Sequence, residues 1–258
     1  MSTTTSTDFG SILNAAILGG YVADLAGGTY TITSPIVIHI TQTTQGPMGI
    51  DGGGATLISQ VTNGQPLIQI VVDPGVDARY LNLSNFTIQG NGREGDGIQL
   101  LADGNDRWLY NYTINNVTVS HVGGYGLDIQ GSIFEGITSN SWMIGDAKGG
   151  AYYSHTAGGG QVSALRWFGG GFQDNGGAGL TLDNGARDIS VDGVSFINNG
   201  GGGISAGNGI TSVASSTFVD NHGPAVWVQN YGNFNDNTFT SSGAQTIGIT
   251  GCEVPLLK

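Results

Sequence analysis

The residues of this chain best suited to chemistry are grouped in one stretch and the coils that follow it. In Gly126-Leu-Asp-Ile-Gln130, the alternation that sends Leu127 and Ile129 inward sends Asp128 and Gln130 outward. Repeating that register places Gln99, Asp128, Tyr152, Thr181, Ser205 and Trp227 in one outward column. Leu101, Gln130, Ser154, Asp183, Gly207 and Gln229 fall in a second column beside it. Tyr125 stands at the entrance of the strand, and His155 follows the outward Tyr152 and Ser154. A phenol, a carboxyl and an imidazole on one face are groups that move protons. Lys148 and Arg166, in the next coil and its turns, are sources of positive charge. Trp227, four coils on or about 19 Å away, is a flat surface on which a sugar ring can stack. The competing reading is that Tyr125 covers a turn and Asp128 is a solvated strand position. His39, His121 and His222 fall in strand or turn positions and read as structural.

A repeat must position these residues. Glycine opens a strand at Gly97, Gly126, Gly150, Gly179 and Gly203, with Ala225 and roughly Gly248 continuing the series. A mid-strand position of the preceding run, at Thr87, Thr118, Met143, Phe172, Phe196, Phe218 and Phe239, drifts with it. Two landmarks moving together over 80–250 identify stacked units that share one core. The units contain short runs of Val, Ile, Thr and Phe bounded by Gly, Asn and Asp, which is strand and turn chemistry. One unit is long enough for three short strands and three turns. The expected fold is therefore all-β: a right-handed parallel β-helix of about eight to nine coils forming one domain over 1–258, with the four phenylalanines stacked inside. Asp174-Asn175, Asn198-Asn199 and Asp220-Asn221 occupy one turn column and predict a hydrogen-bonded ladder. Residues 8–19 place Phe9, Ile12, Leu13, Ala16 and Ile17 on one helical face, with Asp8 or Ser11 as N-cap, and predict a helix covering the open N-terminal end.

The chain has 258 residues, 47 of them glycine, and a net charge of −12 with seven basic residues, which argues against nucleic-acid binding. The single cysteine, Cys252, excludes a disulfide framework. No run of apolar residues is long enough to span a membrane, and the first residues lack the pattern of a signal peptide. The protein is expected to work outside the cell, exported without an N-terminal signal of that kind. Gly123–Gly131 fits most of a calcium-binding nonapeptide but lacks tandem copies, and Asp96, Asp103 or Asp106 leave a calcium ion compatible with the long loop. The residues after Thr250 are too few for a capping helix, so the C-terminal end is expected to be covered by another module or subunit.

The N-terminal helix, the Leu25-Ala-Gly-Gly-Thr-Tyr30 turn and Ile50-Asp-Gly-Gly-Gly-Ala-Thr-Leu-Ile58 resemble the first coil of the pectate-lyase-like β-helix superfamily. Leu81–Asn91 and Tyr125-Gly-Leu-Asp128 resemble the mannuronan C-5 epimerase modules within it. That resemblance implies a catalytic role for Tyr125 as acid or base and carboxylate binding by Asp128. Two histidines of the family pattern are replaced by Gln130 and Ala178. The implied function is proton abstraction at C-5 of an acidic, uronate-containing polysaccharide, as lyase or epimerase. On this reading Tyr125, Asp128 and His155 are catalytic, while Gln130, Tyr152, Lys148, Arg166 and Trp227 bind substrate. The rival is a non-catalytic, glycan-binding or structural module, spike-like or adhesin-like. Both Tyr125 and Asp128 are expected at the groove surface, so that Tyr125→Phe and Asp128→Asn remove activity without affecting unfolding.

Overall fold

Apolar residues two apart, interrupted every few residues by glycine or asparagine, force the chain to turn repeatedly and to bury one face of every short strand. The computed structural model describes residues 4–240 and 247–249 apart from 105, 156–158, 184, 208 and 230–231; for 4–8 and 247–249 only the backbone is considered. The strands form parallel sheets of fourteen, five and nine strands, and the chain visits them in turn. This is a parallel β-solenoid. In the nine-stranded sheet, Ile98–Ala102, Tyr125–Gly131, Gly149–Ser154, Leu180–Leu182, Ile204–Ala206 and Val226–Val228 lie side by side in sequence order. One continuous apolar core runs from Phe9 to Val228.

The two sequence landmarks prove to be two sides of one contact. Phe172, Phe196 and Phe218 are buried and stack at 5.1 and 4.7 Å between ring centroids. A β-carbon at Gly179 would lie 2.8 Å from both Phe172 and Phe196, and one at Gly203 would lie 2.6 Å from Phe218. The glycine column thus exists where the phenylalanine column fills the corner of the coil. Phe239 continues the stack at 5.1 Å from Phe218 but is exposed, because little of the described chain covers it. Gly248 corrects the glycine series: it pairs with Trp227, two positions beyond the strand-opening place.

The asparagine ladder is present and longer than expected. The Asn175, Asn199 and Asn221 side chains are buried, and Asn199 Oδ1 and Asn221 Oδ1 accept from the backbone amides of Asn175 and Asn199. Asp146 extends the column by one coil: its amide donates to Asn175 Oδ1 and its own Oδ1 accepts from the Val122 amide. The flanking His121, Asp174, Asn198 and Asp220 adopt left-handed backbone with φ between 50° and 59°, as turn residues of these types tolerate. His121 is therefore a turn residue, as its spacing indicated.

The helix spans Ser6–Gly19 and buries Phe9, Leu13, Ala16 and Ile17 over the first coils. It begins before both Asp8 and Ser11, so neither is the N-cap. Phe9 meets Tyr30 and Phe86 edge-on, at 5.6 and 6.0 Å. The solenoid also begins earlier than the glycine periodicity suggested: Val37, Gln69 and Gln99 are in register across the first three strands of the nine-stranded sheet. The coils of Val37 and Gln69 are longer, and Pro35 and Leu67 stand where later coils have the strand-opening glycine. The tail after Thr250, on which the expectation of a covered C-terminal end rested, lies outside the described residues.

Candidate functional site

The outward column predicted from alternation is observed residue for residue. Asp128 pairs with Gln99 on one side and Tyr152 on the other, and Thr181, Ser205 and Trp227 follow in register. Gln130 pairs with Leu101 and Ser154 in the second column. The Tyr125 and Tyr152 rings stack at 5.0 Å and 16°, and Lys148 Nζ sits 5.6 Å from the centre of the Tyr125 ring. An exposed ammonium over a phenol is a cation–π contact that holds both groups at the rim of the site.

Asp128 differs from its expected state. It points outward but is only 2% exposed, so it is not a solvated strand position. Oδ2 accepts from Gln99 Nε2 at 2.8 Å and from Gln130 Nε2 at 2.6 Å. Oδ1 is buried and has no hydrogen-bond partner. Burial, chiefly, and then the charge of Asp96 push the Asp128 carboxyl up to about 7, against the two glutamine hydrogen bonds. Burial, with the charges of Asp128 and Asp96 and the neighbouring Tyr152, also raises the Tyr125 phenol. Tyr125 is therefore a protonated phenol at neutral pH and suited to donate a proton.

Sequence reasoning missed Asp96 as a partner of this site. Its Oδ1 accepts from the Tyr125 amide at 2.7 Å. A β-carbon at Gly124 would meet that same oxygen and lie 2.7 Å from the Asp96 amide nitrogen. The Gly123-Gly124 pair before Tyr125 was the available signal: it marks close approach to the acidic turn of the previous coil. Those glycines accordingly have a packing explanation. Among the described residues, no group of three or more His, Cys, Asp or Glu side chains is arranged to hold a metal ion.

The other predicted residues are distributed unevenly. His155 is exposed and its Nδ1 lies 2.8 Å from Asp183 Oδ2 in the following coil, leaving Nε2 toward solvent. His39 makes an equivalent pair with Asp73 at 2.7 Å, near the start of the same sheet. Trp227 is partly exposed in the Asp128 column. Arg166 is not brought to this face: it opens a strand of the fourteen-stranded sheet, between Ile137 and Ser190. An open hollow of about 500 Å³ beside Arg187, Asp188, Ile210 and Asn233 includes none of the candidate residues.

A second buried acid lies near Tyr125. Asp146 is fully buried, its Oδ2 has no hydrogen-bond partner, and burial first, then the charges of Glu94 and Asp96, push it up to about 8 against the Val122 amide. Both Asp128 and Asp146 are thus raised above their unfolded value of 3.8. Their sign is the same: the stability they contribute is fully present below the unfolded value of 3.8, falls as pH rises above it, and is lost once pH has passed about 7 and about 8. Thermal unfolding across this range is expected to show highest stability in mild acid. Asp146→Asn should restore several kcal/mol at the alkaline end, on the order expected for a raised carboxyl. An asparagine there keeps the bond to Val122, and by register its amide meets the Val119 carbonyl as Asn175 meets Met143. An unchanged pH profile in Asp146→Asn would show that Asp146 is not the group responsible.

No family model and no curated protein sequence matches this chain. Solved structures do. A protein described as ORF18 of Geobacillus virus E2 superposes with TM-score 0.67 at 14% identity, over 95% of this chain and 59% of that one. An alginate lyase from Paenibacillus sp. superposes with TM-score 0.59 at 13% identity, over 95% of this chain and 97% of the lyase. This chain therefore spans under two thirds of the viral protein and almost the whole lyase. At these identities the likeness establishes the β-helix fold.

Proposed function

We propose that the outward face of the nine-stranded sheet binds an acidic, uronate-containing polysaccharide and that the Tyr125–Asp128 centre promotes proton abstraction at C-5, as a lyase or epimerase does. The observation that carries this reading is Asp128, a carboxyl buried at 2% exposure in the outward column and pushed up to about 7. A carboxyl that keeps its proton near neutrality hydrogen-bonds a substrate carboxylate instead of repelling it, and so makes the adjacent C–H bond more acidic. Lys148 supplies positive charge at the same rim. The Tyr125 phenol donates a proton on the leaving side. His155, oriented through Nδ1 by Asp183, offers Nε2 as the acceptor for the C-5 proton. Tyr152 and Trp227 are flat surfaces for neighbouring sugar rings along the column.

Hydrolysis by a pair of carboxyls fits less well. Asp96 Oδ1 is committed to the Tyr125 amide and Asp128 Oδ2 to Gln99 and Gln130, whereas a glycosidase needs two carboxyls that both face the scissile bond. The alginate lyase among the similar structures agrees with the proposed substrate class without establishing it. The second reading, a glycan-binding module without chemistry, is favoured by the stacked Tyr125–Tyr152 pair and Trp227 and by the departure from the epimerase pattern at Gln130 and Ala178.

One experiment separates the two. The protein is incubated with a panel of polyuronates in deuterated buffer, and ultraviolet absorbance of unsaturated uronates is followed together with deuterium incorporation at C-5. Either signal, lost in Tyr125→Phe, supports the catalytic reading. Glycan retention without absorbance change or exchange on the whole panel supports binding alone.

A further inference from the structure

We propose that the hollow at Arg187 is a second saccharide site, which takes a uronate ring of an acidic polysaccharide on a different sheet from Asp128. The inference takes its ligand class from the reading above and rests on it for that alone. Its first support is the way the hollow is made. The outward column of the five-stranded sheet runs Arg79, Tyr110, Phe134, Ser163 and Arg187 in register. One coil beyond Arg187 stands Gly209, in left-handed backbone with φ of 92°, where a β-carbon would strike the Ala186 carbonyl oxygen. Gly232 follows in the next coil, where a β-carbon would lie 2.7 Å from Ile210. Close approach of the coils thus requires glycine, and the two bare positions leave a hollow of about 500 Å³ with the buried Ile210 at its base. The strand Ile210–Ala214 also carries a bulge: Ile189 pairs with Ile210 but Ser190 with Ser212, so Thr211 is extra and stands exposed in the lining.

The second support is a contrast between two arginines of that column. Arg79 is occupied: its Nε and Nη2 donate to Asp77 at 3.0 and 2.8 Å, and its guanidinium lies 4.9 Å from the centre of the Tyr110 ring. Arg187 is exposed, and its side chain makes no hydrogen bond or ion pair with any described residue. A planar guanidinium with a free fork of donors matches a carboxylate. Asp188, beside it, accepts from the Ser163 hydroxyl through Oδ2 at 3.3 Å, which leaves Oδ1 to accept from a ring hydroxyl. Asn233, exposed on the far side, offers both a donor and an acceptor. This set discriminates between ligands. An inorganic anion uses Arg187 and is repelled by Asp188, and a neutral sugar satisfies Asp188 but leaves Arg187 without a counter-charge. A ring that carries a carboxylate as well as hydroxyls uses both. The volume lies within the range of small-molecule sites, and an open hollow lets the ring continue into polymer at either end.

The test uses the full chain labelled with nitrogen-15, carrying Tyr125→Phe so that the probe is not consumed. Short oligomers of mannuronate, guluronate and galacturonate are titrated in, each beside the same oligomer with its carboxyls reduced to alcohols. At least one oligouronate is expected to shift the Arg187 Nε–H signal and the Thr211 and Asn233 amides along one saturable curve. Arg187→Gln should weaken the binding read at Thr211 and Asn233 by about tenfold or more, as loss of a charge-assisted contact does. Arg187→Lys should recover part of it. The reduced oligomer should bind the arginine protein no better than the oligouronate binds Arg187→Gln, a comparison that holds even if a variant folds poorly. Absence of any response at these three residues across the panel overturns the proposal. So does a response that survives Arg187→Gln, equal binding of the reduced oligomer, or sulfate that reproduces the shifts at the same concentration. The two readings fail separately. A response at Arg187 while the unsubstituted protein processes no polyuronate keeps this site and rejects the catalytic reading, and processing without a response at Arg187 does the reverse.

Discussion

Asn199→Ala is expected to destabilise the protein by about 2 to 5 kcal/mol, the range for leaving several buried polar groups without partners. Asn199 Oδ1 accepts from the amide and the side chain of Asn175, at 3.3 and 2.9 Å. Its Nδ2 donates to the Phe172 carbonyl at 3.0 Å and to Asn221 Oδ1 at 2.9 Å. Alanine removes all four at a site with no access to water, since Asn199 is fully buried. The neighbouring turns of three coils are joined through this one side chain, so the loss is larger than for an ordinary turn residue. A urea titration should show a lower midpoint, with Ser205→Ala on the partly exposed column as a control expected within about 0.5 kcal/mol. A midpoint equal to that control would mean that the ladder adds nothing beyond the stacking of Phe172, Phe196 and Phe218.

The other large effect is on turnover. On a polyuronate that the protein processes, Tyr125→Phe should lower kcat by about 10² to 10⁴-fold, the usual contribution of a positioned proton donor. Folding should be little affected. The ring still stacks on Tyr152, and the bond to Asp96 uses the backbone amide, which the substitution leaves in place. Turnover within a few-fold of the unsubstituted protein would remove Tyr125 from the chemistry. Asp128→Asn differs from the sequence expectation, because Asp128 is buried and hydrogen-bonded to Gln99 and Gln130. Its effect on unfolding should depend on pH. An amide cannot ionise, so the variant should gain stability relative to the unsubstituted protein as pH rises from the unfolded value of 3.8, the gain being complete by about pH 7.

Much of the fold was legible in the sequence because stacking repeats a local pattern. Alternation determines which side of each strand faces the core, and a constant register from coil to coil places Asp128, Tyr152, Thr181, Ser205 and Trp227 in one line. The same logic found the Asn175–Asn199–Asn221 ladder and the buried phenylalanines. It could not find the early coils, whose longer turns carry no glycine landmark, nor exclude Arg166, since position along the chain does not say which of three sheets a strand joins.

The chemical state of the site was decided by tertiary structure alone. Alternation correctly sends Asp128 outward, yet outward is not the same as solvated. Gln130 from its own strand and Gln99 from the previous coil both donate to it, and the packing of the neighbouring coil gives it burial without a compensating charge. His155 likewise looks isolated in sequence and gains its orientation from Asp183, 28 residues away. Which face a side chain occupies follows from the period of a strand, a local property. Whether a carboxyl there keeps its proton depends on how many charges and donors the neighbouring coils bring within a few ångströms, and that is a property of the packed solenoid.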